Sequence, residues 1–447
     1  MRIDLYAIDI GGGHLAPANA IKRQFDLLRY PDLDVRVINL GRALRMRFLS
    51  LIYKTYWNLC LRYPPLINAF YHGADNPFLM KVIDRLFATT YLPRFAAFLR
   101  REKPDVVVST YFTFTHFLET LRHVGELDAT AVVLNPEPFD SHLVWFSSGL
   151  DDNLVFSRRS LDEVVAKGIP ASRVRLFPFP INPEFGRRTT PVARLRARLG
   201  LAEEPFTVLL FFGAEGRGPA KAYLGEIAAR KLDVQVVVIC GRNDRLREDL
   251  AEEARRARAG VLLAVRGFVT NVPDYIAAAD IVVGKSGPNQ VFETLLQSRP
   301  IVISSFLANE QRTSDWVIEN GVGWLCRTPR QFGALLVRLR ADPHILRAYR
   351  ANIRRLGLRS GAAEICGYLY GLAQTHAGTP RRPRGLERLR QAALELGQVS
   401  RTRAKARRAT RRTSRTSTEA RRATRRSSRI ARRAHPGAKR TPRPTGS

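Results

Sequence analysis

The chain has few cysteines, no long apolar run and no cluster of metal-ligating side chains. Its four cysteines lie far apart, without CxxC spacing or a neighbouring group of histidines: Cys60, Cys240, Cys326 and Cys366. This pattern favours a reduced cytoplasmic compartment over a disulfide framework or a metal site. No window approaches the roughly 18 apolar residues of a transmembrane helix. The N-terminal run RIDLYAIDI is too short for a signal peptide and lacks a cleavage site, so any membrane contact is expected to be peripheral.

Acidic residues are scarce at the C-terminus, where the positive charge is concentrated. Of the formal net charge of +33, residues 401–447 carry +17, from 18 Lys/Arg and one acid, Glu419. Within this segment ARRATRRTSR at 406–415 recurs as ARRATRRSSR at 420–429. Arg, Ala, Ser and Thr cannot bury a core, so we expect residues 377–447 to form a disordered tail. Its charge suits an anionic membrane surface or nonspecific nucleic acid, and without aromatics it is not expected to read RNA sequence.

Short apolar, β-branched runs alternate with helical patterns through most of the remaining chain. Nine strand candidates begin at Ile3, Val35, Asp105, Thr130, Thr207, Val234, Gly260, Asp280 and Pro300. Nearly continuous apolar strands separated by helices predict parallel sheets covered on both faces. The sequence therefore predicts two doubly wound α/β domains, residues 1–180 and 206–376, joined by a proline-rich linker at 181–205. We also expect one late helix to pack back on the N-terminal domain.

The first candidate site is IDIGGGHLAPANAI, residues 8–21, where a strand, a glycine turn and a helix follow one another. Amide groups at such a helix start attract anions and polar oxygens. A dinucleotide site is the alternative, but it calls for GxGxxG and an acid that closes the second strand, and Asp34 instead opens that strand. Because α/β sheets bind ligands beyond the carboxyl ends of strands, His14 is expected to face the ligand cleft. An ordinary loop histidine is the other reading.

Two further glycine turns lie in the second half. FFGAEGRGPAKAYL, residues 211–224, repeats the strand, turn and helix, although a tight turn without a ligand has the same pattern. In residues 267–303 a strand leads into the SGPN turn at 286–289, and a helix then carries Glu293. The amides of that turn can hold a diphosphate, and the carboxylate can bind the two hydroxyls of a ribose. Charge complementation at a helix N-terminus is the alternative role for Glu293.

Taken together, GGGH, GxEGxGP, CGRN, GFVxNVPxYxAAAD and KSGPN…E resemble the family 28 glycosyltransferases. The resemblance covers roughly residues 3–375 and points to the diacylglycerol-sugar transferases, including monogalactosyldiacylglycerol synthases and processive diacylglycerol glucosyltransferases. It implies a GT-B fold, with a UDP-sugar in the interdomain cleft and inverting transfer that needs no metal or other cofactor.

The resemblance also implies roles for particular residues. His14 falls on the family's glycine-loop histidine and would be the general base, with Asp9 in reserve. The implied acceptor-binding residues are Gly12, Gly13, His142 and Trp145. The implied donor-binding residues are Gly213, Glu215, Gly216, Arg242, Phe268, Val269, Ser286, Gly287, Pro288, Asn289, Gln290, Glu293 and Glu310. Within the donor set, Phe268 and Val269 would meet the uracil and Glu293 the ribose.

The sequence departs from the family pattern at two places. The family usually has an aspartate before the HxxW element (His142 to Trp145), where this chain has Asn135 and, further on, Asp140. Relatives read roughly QEEGN near the donor sugar, whereas residues 309–313 read NEQRT, so only Glu310 is carried over. These departures leave the transferred sugar open.

Residues 40–72 mix Arg and Lys with large apolar side chains and have no acid. That composition is typical of an interfacial helix on an anionic membrane, although an amphipathic helix packed on its sheet would look similar. We therefore expect a glycolipid-forming hexosyltransferase that uses a UDP-sugar and a lipid acceptor such as diacylglycerol, peripheral on the inner face of the cell membrane. The alternatives are transfer of N-acetylglucosamine to a polyprenyl-linked or other lipid-linked acceptor, a UDP-sugar epimerase of the same fold, and a non-catalytic polyanion-binding protein.

Overall fold

The computed structural model describes residues 1–9, 13–46, 91–186, 190–216, 218–256, 261–306 and 308–377. The predictions for Gly12, for most of the basic segment at 40–72 and for the tail after Ala377 lie outside the described residues. The three cysteines within the described ranges are buried free thiols. None of the helices in these ranges is long and apolar enough to cross a bilayer.

The first half of the chain forms a parallel sheet of six strands in the order β2-β1-β3-β4-β5-β6. The strands are β1 (Arg2–Ala7), β2 (Asp34–Asn39), β3 (Val106–Ser109), β4 (Thr130–Leu134), β5 (Asp152–Val155) and β6 (Val174–Leu176). In the centre, Leu5 of β1 is in register with Val37 on one side and Val108 on the other. All four residues of β3 are buried, as expected for a strand covered on both faces.

Helices cover both faces of this first sheet. They are α1 (Leu15–Leu28), α2 (Leu40–Ala43), α3 (residues 91–102), α4 (Phe112–His123) and α5 (Arg158–Ala166). On one side Ile21 and Phe25 of α1 pack against Ile3 and Leu5. On the other side Phe95 of α3 joins a core with Phe114 and Phe117 of α4. These two cores hold the carboxyl ends of β1, β3 and β4 in fixed positions.

The second half repeats the architecture in the strand order β12-β11-β10-β7-β8-β9. Its strands are β7 (Thr207–Phe211), β8 (Val234–Ile239), β9 (Val261–Arg266), β10 (Ile281–Lys285), β11 (Ile301–Ser305) and β12 (Gly323–Leu325). Its helices are α7 (Ala220–Ala229), α8 (Asp244–Arg256), α9 (Val272–Ala278), α10 (Pro288–Leu296), α11 (Gln311–Glu319), α12 (Pro329–Ala341) and α13 (Pro343–Arg355). The two parallel sheets confirm the predicted fold class.

Three short strands were not predicted from the sequence. They are β5, β6 and β12, of three or four residues each. In β5 the polar Asp152 and Asn153 interrupt the apolar run, and β6 and β12 lie at the edges of their sheets. These strands form because they pair with a longer neighbouring strand. The sequence of such a short segment does not show that pairing.

Two crossings connect the halves. Residues 181–205 include α6 (Val192–Leu199), where the buried Arg196 bonds to Asp280 at 2.9 Å and so attaches this segment to the second half. The last helix, α14 (Ala362–Ala377), returns to the first half and packs on α1, with Tyr370 stacked on Tyr30 at 4.2 Å between ring centroids. The domain limits at residues 180 and 206 remain our proposal. The first sheet precedes these limits in the chain, and the second sheet follows them.

Candidate functional site

The loops that follow the carboxyl ends of both sheets meet in a cleft between the halves. Ligands of open α/β sheets bind at this edge, so the cleft is the candidate site. Hydrogen bonds between described residues cross it. Asn289 Nδ2 donates to the Gly13 carbonyl at 3.2 Å, Asn309 Nδ2 to Glu137 Oε1 at 2.8 Å, and Arg312 Nη1 to Glu163 Oε2 at 2.6 Å.

His14 stands at the start of α1, immediately after Gly13 in the first glycine turn. Its Nδ1 lies 2.8 Å from the Thr110 carbonyl. A carbonyl only accepts, so the bond requires the proton on Nδ1 and leaves the Nε2 lone pair as the basic site of the neutral ring. Burial lowers the pKa of His14 from about 6.5 to about 4, with the Thr110 bond acting in the opposite direction. The imidazole is therefore neutral and able to accept a proton at physiological pH.

Aromatic rings surround His14. Its ring lies 5.0 Å from that of Tyr111 in an edge-on contact and 5.6 Å from that of Trp145, between centroids. Phe112 packs edge-on against Trp145 at 5.5 Å. The structure thus brings together two residues, His14 and Trp145, that the sequence placed at the acceptor side. Tyr111 and Trp145 are themselves buried, so this wall makes the surroundings of the His14 ring apolar.

His142 begins the short 3₁₀ helix Leu143–Trp145, and its Nδ1 accepts from the Val144 amide at 3.1 Å. Asp140 Oδ1 in turn accepts from the His142 amide at 3.1 Å. These local bonds orient the segment that carries Trp145. In this arrangement the Nδ1 of His142 is used to shape the loop.

Asp9 is exposed beyond the end of β1, and its carboxylate pairs with Arg42 at 2.9 Å. His14 is not its partner. The reserve base of the sequence analysis is therefore in an ion pair with an exposed arginine and lies outside the aromatic wall that encloses His14.

The SGPN turn links β10 to α10, with Gly287 as the N-cap and Pro288 in the first helical turn. Proline has no N–H and suits this position, while the other free amides of the first turn point beyond the helix start. Asn289 reaches the first half through its bond to Gly13. The buried Ser286 donates to the Glu310 carbonyl at 3.2 Å. This helix start is thus fixed opposite His14's loop, with partial positive charge toward the cleft.

The side chain of Gln290, whose role in donor binding stays a prediction, is directed into the protein. The side chain is buried, its Nε2 donates to the Phe211 carbonyl, and its Oε1 accepts from the Lys285 amide at 3.3 Å. Both ends of the amide are therefore engaged inside the protein. Gln290 ties the ends of β7 and β10 together and positions the turn.

The second glycine turn follows β7, and two of its glycines have left-handed backbone conformations. Gly213 has φ +79° and open space where a Cβ would stand, so a ligand can approach its backbone. Gly216 has φ +57°, but a Cβ there would lie 1.9 Å from the Cys240 carbonyl oxygen. Close packing of the turn on residues 240–242 thus explains Gly216 without a ligand.

At the outer end of this turn Arg242 pairs with Glu215 at 3.1 Å, and its guanidinium lies 4.9 Å above the centre of the Phe268 ring. The Phe268 side chain is 55% exposed, whereas the adjacent Val269 is half-buried. An exposed ring covered by a guanidinium is a flat surface on which another planar group can stack. The geometry suits the predicted nucleobase position.

Glu293 projects from α10, and its carboxyl forms no hydrogen bond or ion pair with any described residue. Burial raises its pKa from 4.5 to about 8. A partly buried carboxyl without a partner is unfavourable unless a ligand supplies one. Perturbed groups of this kind in a cleft mark functional sites more often than structural ones.

Glu310 lies over the SGPN turn: a Cβ built on Gly287 would lie 3.3 Å from Glu310 Oε1. Two nearby residues were missed by the sequence analysis. Glu137 bonds to Asn309, and Arg312 pairs with Glu163 and also donates to the Phe139 carbonyl at 3.2 Å. Although burial opposes it, these and neighbouring hydrogen bonds lower the pKa of Glu163 to about 2. The only signal in the sequence was an acid soon after β4, in the segment NPEPFDSH.

Among the described residues, no group of three His, Cys, Asp or Glu side chains is arranged to hold a metal ion. Transfer without a metal stays a prediction. The donor turns offer backbone amides in place of metal ligands.

Comparison with known proteins agrees with this geometry. Residues 14–181 match the family model for monogalactosyldiacylglycerol (MGDG) synthase, and residues 220–313 match that for the glycosyltransferase family 28 C-terminal domain. Monogalactosyldiacylglycerol synthase of Spinacia oleracea is 27% identical over 343 residues, which is 74% of this chain and 64% of that protein. The probable monogalactosyldiacylglycerol synthase 2 of Oryza sativa subsp. japonica is 26% identical over 389 residues, covering 85% and 82%. The chain thus spans just under two thirds of the spinach protein.

Two solved structures share the fold. MurG of Acinetobacter baumannii superposes with a TM-score of 0.55 at 14% identity, over 83% of this chain and 99% of that one. The glycosyltransferase SnogD of Streptomyces nogalater gives 0.54 at 15% identity, with the same coverage. These likenesses show the GT-B fold. The family models and relatives show that the chain is similar to the monogalactosyldiacylglycerol synthases and, over residues 220–313, to the C-terminal domain of the family 28 glycosyltransferases.

Proposed function

We propose that the protein transfers a hexose from a UDP-sugar to the hydroxyl of a lipid such as diacylglycerol, with inversion at the anomeric carbon. One observation carries the proposal. The loop of His14 and the helix of Glu293 are joined across the cleft by the bond between Gly13 and Asn289. A proton acceptor and a donor-binding carboxyl are thereby held on opposite sides of one gap.

In the reaction, His14 Nε2 takes the proton of the acceptor hydroxyl. The hydroxyl oxygen forms a bond to the anomeric carbon while the bond from that carbon to the UDP oxygen breaks. The electron pair leaves with the diphosphate, and a single displacement inverts the configuration. A base pKa of about 4 in the free protein is low for this step. Bound diphosphate carries negative charge, which favours the imidazolium and raises that pKa toward neutrality.

Charge on the departing diphosphate is stabilised by the N-terminus of α10 and by the open backbone at Gly213. Both are preorganised amide arrays, which need little reorganisation as charge develops. This arrangement supports transfer without a metal ion.

Donor recognition is divided between the ends of the nucleotide. Glu293 accepts hydrogen bonds from the ribose hydroxyls, which supply the partner that its carboxyl lacks. The exposed ring of Phe268 stacks on the uracil, and Val269 lies beside that ring. Arg242, which lies over the other face of Phe268, and its partner Glu215 border the nucleobase position.

The acceptor is proposed to be a lipid because of the relatives' names and the aromatic wall beside His14. The buried rings of Trp145 and Tyr111 make the surroundings of His14 apolar, which suits a glycerol backbone and the first methylenes of acyl chains beside this histidine. The basic and apolar segment at 40–72 and the arginine-rich tail would attract the enzyme to an anionic membrane, consistent with a peripheral location on the inner face.

The test is to incubate the purified full chain with UDP-galactose, UDP-glucose or UDP-N-acetylglucosamine, each labelled in the sugar, and liposomes with or without diacylglycerol. The proposal expects labelled, organic-soluble product only with diacylglycerol, in step with UDP release. Label on a polyprenyl-linked acceptor alone would favour the N-acetylglucosamine transferase, and conversion of the sugar without UDP release would identify an epimerase. Absence of both turnover and UDP-sugar binding would contradict the proposal.

A further inference from the structure

One acidic side chain from the first half reaches the donor side of the cleft. Glu137 follows β4 by three residues, in a loop organised by the buried Asn135. Asn135 Oδ1 accepts from the Glu137 amide at 3.0 Å, and its Nδ2 donates to the carbonyls of Glu137 and Asp140 at 3.0 and 2.8 Å. The residue that replaces the family's aspartate therefore fixes the direction of Glu137.

The two carboxyl oxygens of Glu137 have different surroundings. Oε1 accepts from Asn309 Nδ2 of the opposite half at 2.8 Å. Oε2 is buried and has no hydrogen-bond partner among the described residues. Burial raises the pKa of Glu137 well above its ordinary value, and the nearby Glu310 and Asp140 raise it further, against the effect of Asn309. These surroundings favour the neutral form of the carboxyl, which can both donate and accept a hydrogen bond.

The contact of Glu137 with Asn309 places it next to the donor turn. Asn309 precedes Glu310, whose carbonyl accepts from Ser286 and whose carboxylate lies over Gly287. If the SGPN turn holds the diphosphate, as under the proposed function, the group beyond the diphosphate in a UDP-sugar is the hexose. Glu137, which lies close to Glu310, would then stand beside that hexose.

If Glu137 only joined the two halves, we would expect both of its carboxyl oxygens to be hydrogen-bonded within the protein. Glu163 provides the comparison within the same chain: its Oε1 accepts from Arg159, and its Oε2 from Arg312 and Ser141. Both oxygens of that interdomain carboxylate are used. At Glu137 one buried oxygen is left over beside two other acids, which is an unfavourable arrangement unless a ligand binds there.

We propose that Glu137 binds a hydroxyl of the donor hexose through Oε2 and is a specificity-determining residue for the transferred sugar. It contacts the sugar from the first half of the chain, and Glu310 lies close to it in the second half. The inference rests on the proposed function for the nature of the donor, and it does not depend on the acceptor.

The test compares Glu137→Met with Glu163→Met, two identical changes of a carboxyl that contacts the opposite half. Calorimetry without acceptor measures the affinity for UDP, for UDP-galactose and UDP-glucose, and for monodeoxy analogues of whichever hexose binds more tightly. For Glu137→Met we expect UDP affinity within about twofold of wild type and a loss of at least fivefold for the UDP-hexose. One monodeoxy donor should bind the wild type and this variant equally. Glu163→Met should change UDP and UDP-hexose affinities by the same factor.

The inference is overturned if Glu137→Met changes UDP and UDP-hexose affinities equally, changes neither, or discriminates among the monodeoxy donors as the wild type does. Should this variant not fold, Glu137→Gln is used instead, because it keeps the size of the side chain and the bond to Asn309. The ratio of the affinity for the UDP-hexose to the affinity for its monodeoxy analogue must then still change at least threefold relative to wild type. A wild type that binds no UDP-hexose refutes this inference together with the proposed donor. A wild type that binds UDP-hexose in the expected way but glycosylates no lipid refutes only the proposed acceptor.

Discussion

At two side chains on opposite sides of the cleft, burial shifts the pKa in opposite directions. His14 is desolvated between aromatic rings and kept neutral, with Thr110 selecting the tautomer. Glu293 is desolvated without any partner among the described residues and kept protonated. Separation of titratable groups in this way allows one site to hold both a base and a hydrogen-bonding carboxyl near pH 7.

Replacing the proposed base should lower turnover with little effect on donor binding. We expect His14→Ala to reduce kcat by about 10²–10⁴-fold, the usual contribution of a general base. UDP affinity should stay within a few-fold, because the imidazole faces the acceptor. In NMR titrations, the His14 imidazole of the wild type should have a pKa near 4 when free and a higher one with UDP bound. His344→Ala, at an exposed histidine of α13, is the control; a collapse of UDP affinity with normal turnover would make His14 a binding residue.

The second prediction concerns the protonation of Glu293. If the carboxylate form binds the ribose, UDP binding at pH 7 must release a proton, and affinity should rise as pH increases through about 8. Glu293→Gln should abolish this proton release and weaken UDP binding roughly tenfold to a thousandfold, because each charge-assisted hydrogen bond contributes about 1.5–3 kcal/mol. Calorimetry in buffers of different ionisation enthalpy measures both. Glu226→Gln, at a carboxylate that pairs with Arg230 at the C-terminal end of α7, should behave as wild type. Unaltered UDP affinity in Glu293→Gln would remove Glu293 from the donor site.

At the scale of elements, the turn after β7 combines Gly216, which packing requires, with Gly213, which we propose to bind the donor. Ala in a left-handed conformation costs roughly 1–2 kcal/mol, so Gly213→Ala should lower the thermal midpoint by only a few degrees. Gly216→Ala meets the Cys240 carbonyl as well and should lose about 1–3 kcal/mol more. Only Gly213→Ala is expected to weaken UDP-sugar binding beyond its effect on stability. Calorimetric unfolding and donor titration of both variants test these two expectations. Equal thermal midpoints of the two variants would show that the backbone of the turn moves to accommodate a Cβ at position 216.

Elements with a recognisable local sequence pattern were predicted from the sequence. Nine strands with continuous apolar runs and the glycine turns after β1, β7 and β10 were all located in advance. The direction of a side chain was not predictable: Gln290 has the right position for a phosphate ligand, yet packing turns its amide toward Phe211 and Lys285. Glu137 and Arg312 were missed because their contacts join residues more than 140 positions apart. Such contacts exist only once both halves are folded and packed.

The whole molecule combines two α/β halves with a strongly basic C-terminal segment. Deleting residues 380–447 should leave activity on short-chain soluble acceptors and weaken binding to anionic liposomes. Each basic residue near such a surface contributes on the order of 1 kcal/mol, within a Debye length of about 8 Å. Co-sedimentation over a salt series should show the difference disappearing at high salt and on neutral lipid. Identical sedimentation of both forms on anionic lipid would mean that the tail does not anchor the enzyme, and nucleic acid would be tested next.

The central claim is a single inverting displacement in the cleft between the halves, with a lipid hydroxyl as nucleophile and UDP as leaving group. It is tested most directly by the anomeric configuration of the lipid formed from an α-linked UDP-hexose and diacylglycerol liposomes, read from the H1–H2 coupling in proton NMR. The account predicts a β-linked glycosyl diacylglycerol, formed by the wild type and reduced about 10²–10⁴-fold in rate by His14→Ala. An α-linked product, or a hexose that leaves UDP without reaching the lipid, would contradict it.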